Sequence, residues 1–80
     1  MSTSVRDENS DAGLSVGRKI RHRRWQRGET QPELAGKLGM SYKEIQLYET
    51  GVRLVPTLLL RRIAEAQETP LSYYLVSHDE

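Results

Sequence analysis

Cysteine is absent from this 80-residue chain, so neither a disulfide framework nor a cysteine–zinc site can hold it together. The two histidines, His22 and His78, stand too far apart to form a local metal pair, and stability has to come from packing. No apolar run approaches the roughly 18 residues that cross a bilayer. The polar start MSTSVRDENSD also lacks the basic-then-apolar layout of a secretion signal. We therefore expect a soluble, cytoplasmic protein. No nucleophile with an accompanying base, no carboxylate pair in a predicted cleft and no phosphate-cradling loop stands out, so an enzyme reading has no support, and no cofactor is implied. A chain of this length buries only about 60–65% of its unfolded surface, which allows one small domain, and no internal repeat is visible in it.

What is present is charge, and it is segregated. The chain carries 12 Lys and Arg against 11 Asp and Glu, for a net charge of +1. Residues 1–15 sum to −2 and residues 63–80 to −4, whereas residues 16–62 sum to +7. A basic middle flanked by acidic ends is the electrostatic footprint of an anionic partner. The run RKIRHRR at 18–24 is the densest part of it. A solvated face is the plain reading of such a run; phosphate attraction through the local field is the functional one.

No alternating apolar pattern is long enough for a strand, and helix formers recur between glycines and capping residues, so the fold is predicted to be all-α. Residues 1–14, rich in Ser, Asp, Glu and Asn, are expected to be a disordered tail, residues 15–76 the domain and residues 77–80 a second tail. A first helix is predicted from about Ser15 to Arg27, ended by Gly28, with Val16 and Ile20 inward and the stems of Arg23, Arg24 and Arg27 covering apolar neighbours. Thr30–Glu33 and Ser41–Glu44 both spell a capping box. They open a second helix, with Pro32 in its first turn, Leu34, Ala35 and Leu38 inward and Gly39 at its end, and a third from Tyr42 to about Thr50, ended by Gly51. Pro56 opens a fourth, with Leu60, Ile63 and Ala64 inward, and Pro70 a fifth, with Leu71, Tyr74 and Leu75 closing the core. Tyr48 and Tyr74 read as core, Tyr73 as exposed or interfacial, Trp25 as packed on a neighbouring loop and His22 as surface.

The segments VGRKIRHRR, TQPELAGKLGMSYKEIQLYETG and LRRIAEAQETPLSYYL resemble the phage-repressor-like helix-turn-helix regulators, also called Xre- or Cro-like, over residues 16–76. The resemblance implies a compact four- to five-helix, lambda-repressor-like bundle that binds double-stranded DNA with its third helix in the major groove. It implies that Gln31 meets a phosphate, that Ser41, Tyr42, Lys43, Gln46 and Leu47 lie at the DNA, with Tyr42, Lys43, Gln46 and Leu47 facing base edges, and that Arg53 reaches the backbone. Arg24 and Glu49 match a pair that ties helix 1 to the end of helix 3. Independently of the resemblance, a helical wheel puts Ile45, Tyr48 and Glu49 on one side of helix 3 and Lys43, Gln46, Leu47 and Thr50 on the other, with no acid among the latter.

Leu54, Val55, Leu58 and Leu59 make an apolar cluster denser than one helix face can bury, which points to a homodimer contact. Glu29 and Gln67 stand where relatives have apolar core residues, so the core is expected to be smaller than usual and association to add stability. The resulting expectation is a sequence-specific repressor that binds a palindromic operator as a homodimer. Because one fold can host several functions, an interaction module such as an antitoxin or repressor antagonist is the alternative.

Overall fold

The computed structural model describes the backbone of residues 3–75, with side chains from Ser15 onward. Five helices follow in chain order: α1 Thr3–Gln26, α2 Gln31–Leu38, α3 Tyr42–Glu49, α4 Thr57–Ala66 and α5 Leu71–Leu75. The protein is all-α among the described residues. The α1 helix begins at Thr3 rather than near Ser15, so helical backbone runs through the segment expected as a tail. Ser15 and Gly17 lie inside it, and no stop signal acts between Thr3 and Gly28. Once a packed stretch downstream is helical, each further residue is added for one hydrogen bond without a new nucleus. The tail expected at 77–80, with His78, lies outside the described residues.

The predicted glycine stop acts as expected at the other end. Gly28 takes φ 65°, and the Glu29 N–H returns to the Arg24 carbonyl at 2.8 Å, closing the last turn of α1. Both capping boxes are complete. Thr30 accepts from the Glu33 N–H at 3.1 Å while the Glu33 carboxylate accepts from the Thr30 N–H at 2.8 Å; Ser41 and Glu44 repeat the exchange at 3.3 and 3.1 Å. Gly39, at φ 70°, ends α2. In α3 the cap is Thr50, in right-handed geometry, with Gly51 beyond it at φ 80°. Pro56 is the N-cap of α4, one position outside the first turn in which it was expected.

α1 packs on α3 and α5, α2 on α3 and α4, and α4 on α5. The core is Ile20, Leu34, Ala35, Leu38, Ile45, Leu60, Ile63, Ala64 and Tyr74, with Tyr48 buried beside it. Burying each large side chain here stabilises by roughly 1.5–3 kcal/mol. Leu75, expected inward, is exposed, because α5 is a five-residue helix that turns only Tyr74 fully into the core while Leu71 and Tyr73 pack on its margin.

Glu29 and Gln67 are buried after all, and their polarity is matched by partners. The Gln67 amide donates to the Ile20 carbonyl at 3.2 Å and to Glu29 Oε1 at 3.4 Å, and its Oε1 accepts from the Tyr74 hydroxyl at 2.5 Å. Lys37 Nζ donates to Glu29 Oε2 at 2.7 Å. Burial pushes the Tyr74 phenol above its ordinary value of 10.0. The core is therefore completed by a polar cluster rather than left smaller.

Candidate nucleic-acid interface

The turn between α2 and α3 is only three residues long, Gly39 to Ser41, and the Met40 N–H is held by the Ala35 carbonyl at 2.9 Å. Ala35 is small enough to let the helices approach, and Ile45 fills the space between them. α3 is thereby fixed by its inner side, Ile45, Tyr48 and Glu49, all buried. Its outer side carries Tyr42, Lys43, Gln46 and Thr50, all exposed, with Leu47 half-buried at its edge. Glu44, the acid in the first turn of α3, is held back on the Ser41 N–H. The Ser41 hydroxyl is occupied as the cap acceptor, and the residue itself is exposed.

Behind this surface Arg24 binds Glu49 with two hydrogen bonds, Nε to Oε2 at 2.7 Å and Nη2 to Oε1 at 2.9 Å, and donates a third from Nη1 to the Glu29 carbonyl at 2.9 Å. Both side chains are buried, so the pair satisfies charges that would be costly alone. Gln31 also donates to Glu49, at 3.0 Å. The amide that the family likeness assigns to a phosphate therefore already has one hydrogen directed to the carboxylate, with the second available. Arg53 is exposed beyond the end of α3, its guanidinium 5.9 Å from the Tyr48 ring centroid, and its N–H is held by the Leu47 carbonyl at 3.2 Å.

One contributor gave no signal in the sequence. Gly17 lies so close to the end of α3 that a Cβ there would stand 2.3 Å from the Tyr48 carbonyl oxygen and 2.7 Å from that of Glu49. Only glycine lets α1 come near enough for Arg24 to reach Glu49. The run RKIRHRR is also not one surface. Arg24 is buried, and Arg23 donates to Thr69 Oγ1 at 2.7 Å and to Gln26 at 3.0 Å. Trp25, expected to pack on a neighbouring loop, is instead 62% exposed, with the Arg21 guanidinium 5.2 Å from its ring centroid. Among the dimer candidates, Val55 and Leu59 pack on the core margin, whereas Leu54 and Leu58 are 65% and 73% exposed. Val52, at 74%, joins them.

Two short helices joined by a tight turn, with the second presenting a polar ridge, are the signature geometry of a helix-turn-helix, and the helix-turn-helix domain profile matches residues 15–72. The chain belongs to the helix-turn-helix family. Among helix-turn-helix relatives, it is 34% identical over 61 residues to an "Uncharacterized HTH-type transcriptional regulator" of Sinorhizobium medicae, covering 76% of this chain and 44% of that protein. It is 36% identical over 59 residues to an "Uncharacterized transcriptional regulator in ATPase CF(0) region" of Rhodospirillum rubrum, covering 74% and 55%. The chain thus spans about half the length of these relatives. The solved structure of the clp gene regulator ClgR from C. glutamicum superposes with a TM-score of 0.78 at 25% identity, over 80% of this chain and 83% of that one. Among the described residues no helix is long and apolar enough to cross a membrane, and no group of His, Asp and Glu is arranged to hold a metal.

Proposed function

We propose that this protein is a sequence-specific double-stranded DNA-binding transcriptional regulator that represses by occupying a palindromic operator as a homodimer, with α3 in the major groove. The observation that carries the reading is the outer side of α3: Tyr42, Lys43 and Gln46 exposed together, Glu44 turned back onto the cap, and the inner side, Ile45, Tyr48 and Glu49, buried against the bundle. Lys43 can donate to guanine O6 or N7, Gln46 can pair with both adenine edge atoms, and Leu47 can touch a thymine methyl. Gln31 with its free amide hydrogen, at the positive end of α2, and Arg53 supply phosphate contacts that set register. Each base contact discriminates by about 1–3 kcal/mol, so a second copy on a symmetric site is what raises selectivity. Leu54, Leu58 and Val52 are the surface we assign to that second copy.

The test is a salt titration of binding to an operator selected from a random duplex library and to an unselected duplex. Affinity should fall steeply with salt on a log–log plot for both, and the selected, palindromic site should survive salt that abolishes the other. A flat salt dependence would sink this reading.

A further inference from the structure

At about 100° per residue, Arg18, Arg21, His22 and Trp25 fall in one sector of α1, on the side turned away from Val16, Ile20 and Arg24. Arg18 and His22 are exposed, Arg21 is half-buried and Trp25 is 62% exposed, the largest exposed aromatic among the described residues. Arg21 lies over the indole at 5.2 Å, which pins both side chains in one arrangement at little further entropic cost. Among the described residues neither Arg18 nor Arg21 is in an ion pair. An exposed tryptophan braced by arginine has the composition that dominates binding at protein interfaces.

The position of this stripe separates it from the α3 ridge. α1 meets α3 through Gly17 against the Tyr48 and Glu49 carbonyls and through Arg24 on Glu49, on the side of α3 away from Lys43 and Gln46. The stripe is therefore on α1 and the ridge on the side of α3 away from α1, so one can be occupied while the other remains open.

We propose that the Arg18–Arg21–His22–Trp25 stripe is a second docking surface, for an acidic protein segment that carries an apolar side chain. The arginines meet carboxylates, and the indole face takes the apolar group and excludes water around the charge pairs. A duplex would gain phosphate contacts from the arginines and at most one hydrogen bond from the indole N–H, but it would leave the ring face uncovered, since paired bases offer no exposed face for stacking. The surface would let the protein engage another protein independently of the α3 ridge.

Trp25 is the only tryptophan in the chain, so its emission reports on this site alone. The experiment titrates the full chain with a synthetic oligo-glutamate peptide that has one leucine at its centre, and separately with a random-sequence duplex. The peptide is expected to change Trp25 emission saturably, and the double variant Arg18→Ser with Arg21→Ser to weaken that binding by about five- to tenfold, whereas Lys43→Ser leaves it unchanged. Circular dichroism on the double variant should be that of the parent chain, because neither arginine is buried. The duplex is expected to leave Trp25 emission unmoved. Peptide binding indifferent to the double variant, no peptide response at all, or a duplex-induced emission change that the double variant abolishes would each overturn the proposal; the last would reassign the stripe to DNA phosphates.

Discussion

Two polar clusters are buried against the same small core, and they are built on opposite plans. Arg24, Glu49 and Gln31 form a charged cluster in which both ions are buried and tied by two hydrogen bonds. Glu29, Gln67 and Tyr74 form a mostly neutral cluster whose one carboxylate is compensated by Lys37, a side chain nearly half exposed. The first joins α1 to the end of α3 and therefore sets the angle of the candidate DNA-reading helix. The second joins α1, the α1–α2 turn, the end of α4 and α5, and closes the back of the bundle. The contrast teaches that the charged cluster controls geometry at the candidate site, whereas the neutral one completes packing that apolar side chains would otherwise supply.

The sharpest way to break the first cluster is to remove one ion. Glu49→Ala leaves the Arg24 guanidinium buried with only the Glu29 carbonyl for company, and unfolding by denaturant should show a loss of about 3–5 kcal/mol. Replacing both partners together, Arg24→Met with Glu49→Leu, should recover most of that stability without recovering the orientation of Gln31. If the single and double variants were equally unstable, the pair would not be acting as a desolvated unit.

A smaller effect is expected from closing the gap that lets the cluster form. In Gly17→Ala the new methyl meets backbone carbonyls that no side-chain rotation can clear, so α1 must move off α3, at a cost of about 1–3 kcal/mol in thermal or denaturant unfolding. The displacement should be felt at Arg24 and Glu49, and an amide NMR map should show shifts there and in α3, with Gln67 and Tyr74 little changed. Equal shifts at both clusters would mean that they are one mechanical unit.

The smallest effect concerns the neutral cluster. Tyr74→Phe removes the hydroxyl that Gln67 Oε1 accepts from, and should cost about 1 kcal/mol at neutral pH. The same hydroxyl gives a pH signature. Because burial raises the phenol above 10.0, the folded state holds its proton more tightly than the unfolded chain. Its contribution is fully present below pH 10.0 and is lost as pH rises from there through the folded value. The wild-type chain should therefore lose stability more steeply above pH 10 than Tyr74→Phe, read from unfolding midpoints across the alkaline range.

The parts of the fold that are local were legible in the sequence. Thr30, Glu33, Ser41 and Glu44 announce two helix starts because each box is a closed exchange of four backbone and side-chain groups, and Gly28 and Gly39 end helices through conformations that other residues resist. The inner side of α3 follows from the wheel, and the Arg24–Glu49 pair from the family likeness. What was not legible depends on distance between elements. Gly17 looks like any helix glycine until the carbonyls of α3 are seen across from it. Glu29 and Gln67 look like misplaced polar residues until Lys37 and Tyr74 are brought to them from 8 and 7 residues away. Trp25 is exposed because its position on α1 faces no other helix, which periodicity on α1 alone does not decide. At the candidate site, wheel and likeness together put Tyr42, Lys43 and Gln46 on one ridge, yet the bond from Gln31 to Glu49 depends on how α2 and α3 are set against each other.

Under the proposed function, the outer side of α3 reads bases while Arg53 holds the backbone. The most direct test is the ratio of affinities for a selected duplex and a random one, measured at a single salt concentration for the wild-type chain, Lys43→Ala, Gln46→Ala and Arg53→Ala. The ratio should collapse in the two α3 variants, by about 1–3 kcal/mol each, and stay unchanged in Arg53→Ala while both affinities fall together. A ratio that survives the loss of Lys43 and Gln46, or that falls equally with Arg53, would contradict the account.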